Sequence, residues 1–354
     1  CVFQDNEAAD TDGTYNYEDG GALFCYHGSP IVINCVFNSN SAGSYGGAIS
    51  CDTSSPSITN CSFYGNSSGR YGGAIFCDYS SPTISNCILN RNDADWRGGT
   101  IFCCNSSRPT VNNSILWGNS ASTSGNEIFA DGTCTVTLNY CCVDNSAGAY
   151  SGSGTIDDSN NCIHSDPKFV CAEVGVLRLK HDSPCIDAGN SSLVPAGVAT
   201  DIMGCSRIVG SSVDIGAYEV QGIIYVDGVG GDDTNSGADW SNALKTIGAG
   251  LSAAGDGWIV VVADATYDEI NLDFVAARIY LEGTDYNTSG AGPVIDCQSG
   301  GRAFYFNSGE TKDCIIDNFT IKNGSADLGG TICCKNSSSP SIVNCTFSGN
   351  SAFT

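Results

Sequence analysis

The sequence predicts an all-β protein, a right-handed parallel β-helix in which each coil of about 26 residues contributes three short strands. A pair of glycines recurs at this spacing, beginning at Gly20, Gly46, Gly72 and Gly98. Short apolar stretches and turn residues follow each pair in the same order. The chain also holds 44 glycines and only 15% charged residues, a composition that favours tight turns and strands over helices.

One repeat, residues 72–97, illustrates how the predicted coil is built. It opens with Gly-Gly-Ala-Ile-Phe-Cys, turns at Ser-Ser-Pro, and continues through Thr-Ile-Ser-Asn and Cys-Ile-Leu-Asn to a polar turn. These strands are too short and too lightly apolar to fold alone. Coils stacked at about 4.8 Å would bury a continuous column of Ile, Val, Phe and Leu. Leucine-rich and helical repeats are excluded because Leu periodicity and helix-forming residues are missing.

Cysteines keep the same register as the glycine pairs. They form two series, Cys25, Cys51, Cys77, Cys103 and Cys35, Cys61, Cys87. Neighbouring coils lie within the Cα separation that a disulfide accepts, and cysteines ten residues apart could also meet across the lumen. A fully reduced ladder that acts as small apolar filler is the third alternative. The odd total of 21 cysteines leaves at least one thiol unpaired within the chain.

Asparagines also recur in phase with the repeat. We expect one series to lie at a strand corner, where stacked amides hydrogen-bond along the solenoid axis: Asn34, Asn60, Asn86 and Asn112. Asn-x-Ser/Thr sequons are frequent in a chain rich in Asn and Ser. The candidate glycosylation sites are Asn105 and Asn336 in Ser-rich turns, together with Asn66 and Asn190.

Composition also limits the location and the partners. Twenty-one cysteines are unusual in a reducing compartment, so we expect an extracellular or cell-surface protein. The chain has no apolar run of the roughly 18 residues that cross a bilayer, so we expect no membrane insertion. With 14 basic against 38 acidic residues, the net charge of −24 would repel nucleic acid and anionic membrane surfaces.

The repeat resembles known surface proteins. Gly-Gly-Ala-Ile together with Phe-x-x-Asn resembles the paired motifs of chlamydial polymorphic membrane proteins and of bacterial right-handed β-helix repeat proteins. The resemblance covers roughly residues 1–120 and 315–354. It implies a secreted or surface solenoid, often adhesive, and its motifs carry no catalytic residues.

The middle of the chain is similar to the two ends of such bacterial proteins. Residues 166–169, 177–179, 182–189 and 213–219 are similar to their carboxy-terminal closing segment, and residues 224–268 to the segment that opens these domains. We therefore expect one domain over residues 1–220 and a second over residues 221–354. An amphipathic helix from Ser241 to near Gly255, with Leu244, Ile247 and Leu251 on one face, would cap the core of the second domain.

A loop in the second domain is a candidate metal site. Asp232, Asp233 and Asn235 offer alternating oxygen side chains before a glycine turn, an arrangement that suits Ca²⁺. The alternative is a network of Asx turns, in which these side chains accept hydrogen bonds from their own backbone. Ca²⁺ is the one cofactor for which the sequence offers a candidate site, and the Asx-turn network is the favoured interpretation of this loop. Zinc is excluded, because the paired cysteines are adjacent and lack the spacing of a zinc site.

Enzymatic groups are hard to identify in the sequence. Polysaccharide lyases and hydrolases are the alternative, since many parallel β-helices host them and paired carboxylates perform glycosidic chemistry. The adjacent pairs Asp157-Asp158 and Asp232-Asp233 would point to opposite faces of a strand, and the three histidines, His27, His164 and His181, match no catalytic motif. We therefore predict no catalytic residues and no enzyme.

The predicted function is structural or adhesive. Both chain termini fall inside coils, so we expect tandem β-helical bodies or head-to-tail docking of copies, either of which would give elongated fibres. Surface glycans are the other expected partner, because Tyr45 and Tyr71 lie one coil apart and offer an aromatic platform. A secreted carbohydrate-binding or polysaccharide-cleaving β-helix is the alternative function.

Overall fold

The structure, a computed structural model, describes residues 1–9, 19–287, 290 and 292–353. It divides into two compact units, Cys1–Glu219 and Val220–Thr354. Both are built from stacked parallel strands, so the predicted all-β parallel solenoid is confirmed. Among the described strands, one pair, Phe169–Cys171 and Val176–Leu179, is antiparallel.

In its described residues, 1–9 and 19–219, the first unit contains 25 strands and two short 3₁₀ helices. The first nine strands are β1 (Val2–Gln4), β2 (Glu7–Ala8), β3 (Leu23–Tyr26), β4 (Ile31–Ile33), β5 (Val36–Asn38), β6 (Ser41–Ala42), β7 (Ile49–Asp52), β8 (Ser57–Thr59) and β9 (Ser62–Tyr64). The next nine are β10 (Ser67–Ser68), β11 (Ile75–Asp78), β12 (Thr83–Ser85), β13 (Ile88–Asn90), β14 (Asp93–Ala94), β15 (Ile101–Cys104), β16 (Thr110–Asn112), β17 (Ile115–Trp117) and β18 (Ser120–Ala121). The last seven are β19 (Ile128–Ala130), β20 (Thr135–Asn139), β21 (Cys142–Val143), β22 (Tyr150–Ser151), β23 (Thr155–Asn160), β24 (Phe169–Cys171) and β25 (Val176–Leu179). The 3₁₀ helices are Ala172–Val174 and Ser191–Leu193.

Like strands of successive coils stack in register. Three six-stranded sheets form the walls, in the orders β1-β5-β9-β13-β17-β21, β22-β19-β15-β11-β7-β3 and β23-β20-β16-β12-β8-β4. A narrower sheet of two-residue strands, β18-β14-β10-β6-β2, closes each coil at its polar turn. Each coil therefore supplies three main strands, as the repeat predicted. Cys77 pairs with Cys51 on one side and with Cys103 on the other, which shows that the register of the sequence is the register of the fold.

The glycine pair is required by the backbone of the coil. Gly72 has a φ of +69°, in the left-handed region that glycine adopts at low cost. Gly73 has no positive φ, but a Cβ there would lie 2.2 Å from the carbonyl oxygen of Gly99 in the next coil. The first glycine thus makes the turn, and the second allows two coils to approach.

Stacked apolar side chains fill the lumen. Phe37 and Phe63 are fully buried, with parallel rings whose centroids lie 4.7 Å apart. Columns of Ile and Cys complete the core, including Ile58, Ile84 and the predicted cysteine series. Each fully buried aliphatic or aromatic side chain contributes about 2 kcal/mol of transfer free energy, so the stacked core stabilises coils that could not fold singly.

The asparagine ladder lies in a different column from the one predicted. Asn40, Asn66, Asn92 and Asn119 are buried, and each of the first three donates its side-chain amide to the Oδ1 of the next, at 2.8 to 2.9 Å. The ladder ends at Glu127, whose Oε2 accepts from Asn119 Nδ2 at 2.7 Å. These bonds satisfy buried amides along the axis, which is the role that we had expected of the corner series.

The predicted corner series is therefore wrong as a continuous ladder. Asn34, Asn60 and Asn86 have left-handed φ angles of 53°, 49° and 52°, so they serve as turn residues. Asn113 continues this position, because the coil is one residue longer there, and its amide is 3.3 Å from Asn86 Oδ1. Asn112 instead pairs with Ser85 within the sheet.

The segment similar to a closing segment packs against the side of the solenoid. Phe169, Leu177 and Ile215 form an apolar cluster with Ile88 and Ile115, on the outer face of the sheet that contains β13 and β17. A buried ion pair anchors its far end, where Arg207 Nη2 donates to Glu219 Oε2 at 2.9 Å.

The part of the second unit that the structure describes contains 13 strands, one α-helix and one 3₁₀ helix, Trp240–Asn242. Its strands are β26 (Ile223–Val226), β27 (Ile259–Ala263), β28 (Thr266–Tyr267), β29 (Tyr280–Thr284), β30 (Val294–Asp296), β31 (Phe304–Phe306), β32 (Ile315–Asp317), β33 (Thr320–Lys322), β34 (Ser325–Ala326), β35 (Ile332–Cys334), β36 (Ser341–Val343), β37 (Thr346–Ser348) and β38 (Ser351–Ala352). Its largest sheet has the order β26-β27-β29-β32-β36, and the others are β28-β30-β33-β37, β31-β35 and β34-β38.

The helix of this unit is shorter than predicted. Helix α1 spans Ile247–Ala253, because Thr246 is its N-cap and accepts a hydrogen bond from Ala249 N at 3.2 Å. Leu244, which we had placed in the helix, instead forms a parallel bridge with Val226. Leu244, Ile247 and Leu251 are nonetheless all buried in the core of this unit, as their spacing predicted.

Candidate functional site

An open groove of about 880 Å³ lies along the outer face of the sheet that contains β3, β7, β11 and β15. Strand alternation explains its lining, because Ile75 and Cys77 of β11 face the core while Phe76 and Asp78 face outwards. Since the coils stack in register, each outward position continues as a row along the solenoid. Three such rows line the groove, and we call them the floor row, the tyrosine row and the acidic row.

The floor row is mostly aromatic. In successive coils it consists of Phe24, Ser50, Phe76, Phe102 and Phe129. The ring centroids of Phe76 and Phe102 lie 5.6 Å apart, and those of Phe102 and Phe129 lie 5.2 Å apart. These three rings are buried, whereas Phe24 is 47% exposed, so the floor is covered along most of its length.

The tyrosine row supplies that cover. Bridges between successive coils connect its members Asp19, Tyr45, Tyr71 and Arg97. Three of these side chains lie over the floor residue of the next coil: Tyr45 on Phe76 at 4.7 Å, Tyr71 on Phe102 at 4.3 Å, and Arg97 on Phe129 at 4.9 Å. The offset by one coil links neighbouring coils through their side chains as well as through their backbone.

The acidic row forms the opposite wall. Tyr26, Asp52, Asp78 and Cys104 are in-register neighbours, and Asp131 follows them in the next coil. Neighbouring side chains orient the carboxylates: Thr53 Oγ1 donates to Asp52 Oδ1 at 2.8 Å, and Asn105 Nδ2 donates to Asp78 Oδ1 at 2.6 Å. A carboxylate accepts several hydrogen bonds at once, so this row can bind hydroxyl or ammonium groups.

The groove carries a net negative charge. Its lining includes four carboxylates, Asp19, Asp52, Asp78 and Asp131. Arg97 is the one basic residue in the part of the lining that the structure describes, and it lies over the face of Phe129 as a cation–π contact. Carboxylates that line a concave surface focus a negative potential into it.

Two further groups in the groove keep their protons. Burial raises the pKa of Tyr71 above its ordinary value. Burial, followed by the charge of Asp78, raises the pKa of the Cys104 thiol. The Cys104 thiol donates to Cys77 O at 3.6 Å. Both groups therefore act as neutral hydrogen-bonding groups, and Cys104 is not a reactive thiolate.

The predicted cysteine series lies inside the solenoid. All 21 cysteines are free thiols in the structure, which describes no disulfide among them. The members of the two series, Cys25, Cys51, Cys77, Cys103, Cys35, Cys61 and Cys87, are all buried. The Cys61 thiol donates to Thr59 O at 3.2 Å, and burial raises its pKa. The structure describes both series as thiols, and the choice among the alternatives left open above stays a prediction.

The side chains of the predicted calcium loop form hydrogen bonds with backbone groups of the same unit. Asp232 Oδ1 accepts from Thr234 N at 2.9 Å, a bond that lowers the pKa of this carboxyl. Asp233 Oδ1 accepts from Lys245 N and Thr246 N at 2.8 and 2.9 Å, and Asn235 Nδ2 donates to a backbone carbonyl. No cluster of three His, Cys, Asp or Glu side chains arranged for a metal occurs in the described residues. A calcium site here stays a prediction.

The sequons differ in accessibility. Asn105 and Asn336 lie exposed in their turns, and Asn190 is half-buried. Asn66 is fully buried within the asparagine ladder, where its amide donates to Phe37 O and to Asn92 Oδ1. A glycan on Asn66 would require this ladder to break, so the folded chain offers no room for one there.

The groups considered for catalysis do not meet in one site. Asp158 lies 3.6 Å from His164 Nε2, while Asp157 in the same strand is exposed and accepts from Ser159. His27 contacts the ring of Tyr26 edge-on at 4.2 Å, at one end of the groove. The absence of an active site stays a prediction of the sequence.

Sequence reasoning identified part of the groove and missed the rest. Tyr45 and Tyr71 were recognised as an aromatic pair, and their rings are parallel with centroids 5.6 Å apart. The acidic wall was missed, although Asp52 and Asp78 occupy equivalent positions of successive repeats. Each lies three residues after a buried Ile and one after a buried Cys, and this recurring pattern could have located the wall.

Comparison with known proteins agrees with this fold. A family model described as a right handed beta helix region matches residues 1–139. Residues 1–139 therefore have both the sequence pattern and the stacked parallel strands of a right-handed β-helix. No curated protein and no solved structure matches the chain. Within the described part of the chain, no helix has the length and apolar character that crossing a bilayer requires.

Proposed function

We propose that this β-helix repeat protein is an extracellular adhesive solenoid that binds glycan chains in its lateral groove without cleaving them. The observation that carries the proposal is the groove itself, in which the tyrosine row and the acidic row run side by side along the solenoid. A pyranose ring has an apolar C–H face and a rim of hydroxyl groups. Aromatic side chains suit the first, and carboxylates suit the second.

The setting of the carboxylates supports binding over cleavage. A glycosidase needs one carboxyl group that retains its proton, which usually requires an apolar pocket. Asp52 and Asp78 are half-exposed, and each accepts a hydrogen bond from a neighbouring side chain. Neither side chain is enclosed in such an apolar pocket, and both offer oxygens as hydrogen-bond acceptors.

The experiment is titration calorimetry of the whole chain with defined hexasaccharides, accompanied by chromatography of the sugars after long incubation. We expect binding with intact products, and at least about tenfold weaker binding for the Tyr45→Ala/Tyr71→Ala variant. Tyr79→Ala is the matched control, since Tyr79 is 64% exposed and lies outside the groove lining. Absence of binding to every glycan would overturn the proposal, and shortened products would favour the enzymatic alternative.

Elongated assembly is the second part of the proposal. The closing-type segment that ends near Glu219 is followed directly by β26 of the next unit, which supports tandem β-helical bodies in one long chain. Such bodies would present the groove repeatedly along a fibre, and several weak glycan contacts would add in avidity. Electron microscopy of native material tests this, and discrete short rods would count against a fibre.

A further inference from the structure

We infer that the groove selects a cationic polysaccharide of β-1,4-linked amino sugars, held parallel to the solenoid axis with one sugar unit for each coil. The inference rests on the proposed glycan-binding function and specifies its ligand. It combines two observations, the distance between equivalent side chains of successive coils and the negative charge of the groove.

The repeat distance favours a polymer aligned with the axis. Equivalent groove side chains of successive coils lie 5.6 Å apart, both for Tyr45 and Tyr71 and for Phe76 and Phe102. The rise per sugar of an extended β-1,4-linked chain is close to this separation. Because neighbouring β-1,4-linked sugars face opposite ways, every second sugar of an aligned chain would meet equivalent groups two coils apart.

The charge of the groove favours amino sugars over neutral or acidic ones. One carboxylate of the acidic row is available per coil at Asp52 and Asp78, and Asp131 extends the row beyond Cys104. Since neighbouring sugars face opposite ways, the ammonium groups of every second sugar would face the acidic row. Asp78 and Asp131 lie two coils apart and suit that spacing, so such groups would form charge-assisted hydrogen bonds there. A uronic acid polymer would instead be repelled by the same row.

A cationic peptide is the competing occupant, and its geometry fits less well. An extended peptide rises about 3.3 Å per residue, so alternate side chains recur at about 6.6 Å. That spacing exceeds the separation of the aromatic rings in the groove and falls out of register within a few coils. The rings of Tyr45 and Tyr71 also suit sugar rings better than flexible Lys side chains.

The test compares four ligands by titration calorimetry, at a pH where amines are protonated and aspartates are ionised. The ligands are the β-1,4-linked glucosamine hexamer, its fully N-acetylated counterpart, a galacturonate hexamer and hexalysine. We expect the glucosamine hexamer to bind at least about tenfold more tightly than the N-acetylated hexamer, with the difference shrinking as salt is added. The galacturonate hexamer should bind most weakly of the three sugars.

Variants of the acidic row separate charge from shape. Asp52→Asn/Asp78→Asn should abolish the preference for glucosamine while retaining binding of the N-acetylated hexamer. Asp157→Asn is the matched control, because Asp157 is an exposed aspartate outside the groove lining. Circular dichroism and the Tm of each variant establish that the fold is unchanged.

Ligand length tests the orientation along the axis. Affinity should rise from the glucosamine dimer to the pentamer and then level off, because the lining extends over five coils, from Phe24 to Asp131. An affinity that stops rising at the dimer would show that the chain does not follow the rows, and the inference would fail.

The remaining outcomes distinguish the inference from the function on which it rests. If no sugar binds, both fail. If glucosamine and N-acetylated hexamers bind equally, the glycan-binding function stands and the charge selection is wrong. If hexalysine binds as tightly as the glucosamine hexamer and loses affinity in the same Asp variant, the groove is a general cation site and the inference is overturned.

Discussion

Tyr71 lies over Phe102 of the next coil, with the two ring centroids 4.3 Å apart and the ring planes 24° from parallel. The contact joins a side chain of the groove wall to one of the floor. It also joins two coils, since the residues are separated by a full turn of the solenoid. The Tyr71 ring therefore contributes both to the wall of the groove and to the contact between two coils, so stability and ligand binding are coupled at this position.

Removing the floor beneath Tyr71 should destabilise the first unit. Phe102→Ala leaves a cavity under a covered ring, and we expect the free energy of unfolding to fall by about 3 kcal/mol in urea denaturation. Phe24→Ala is the matched control, since Phe24 belongs to the same row but is 47% exposed. A loss of similar size in both variants would show that the covered stack adds no specific stability.

The second glycine of the repeat is predicted to tolerate no side chain. Gly73→Ala places a methyl group 2.2 Å from Gly99 O and 2.5 Å from Asp93 O, and these backbone atoms cannot retreat without separating the coils. We expect a loss of about 3 kcal/mol in the free energy of unfolding, or insoluble protein. Gly28→Ala is the control, because its nearest neighbour to an added Cβ is 3.8 Å away. Equal Tm values for the two variants would contradict this account.

The cysteine ladder should resist modification while the chain is folded. Cys77 is fully buried, and hydrogen bonding to Cys103 together with burial raises its pKa. Alkylation of native protein followed by peptide mass spectrometry should label the exposed Cys334 and leave Cys77 unmodified, whereas denatured protein should be labelled at both. Detection of a Cys77–Cys103 disulfide, or rapid native labelling of Cys77, would refute the reduced ladder.

The solenoid was predictable because its evidence is repeated in every coil. Gly72 and Cys77 recur in phase, and stacking in register is the arrangement that buries all copies at once. The choice of asparagine column was not predictable in the same way, since Asn60 and Asn66 recur with the same period. Which column faces inwards depends on where the chain turns, and Asn60 occupies the left-handed turn position.

The groove could not be predicted in full, because its shape depends on side-chain contacts between neighbouring coils. The sequence shows that Tyr71 is outward and that Phe102 follows Ile101, but the covering of Phe102 by a residue of the preceding coil depends on side-chain direction. The predicted start of helix α1 was wrong for a related reason. Leu244 fits the helical spacing, but its backbone forms a parallel β-bridge with Val226. The helix therefore begins only after Thr246.

Glu127 gives the first unit a predicted pH dependence. Its carboxyl is fully buried, and burial raises its pKa from 4.5 to about 7, although bonds from Asn119 and Thr100 oppose the shift. Between these two pH values the folded chain retains a proton that the unfolded chain releases. Stability is therefore fully present below pH 4.5 and is lost as pH rises through about 7, by about 3 kcal/mol in total.

Glu127→Gln should remove this dependence, because the amide keeps the shape of the carboxyl without its charge. The variant should match the wild-type chain in free energy of unfolding near pH 4.5 and exceed it by about 3 kcal/mol at pH 8, measured by urea denaturation across the range. Glu173→Gln is the control, since that side chain is 71% exposed and should change neither value. Stability curves for wild type and Glu127→Gln that stay parallel from pH 4.5 to 8 would mean that Glu127 is ionised in the folded chain at little cost.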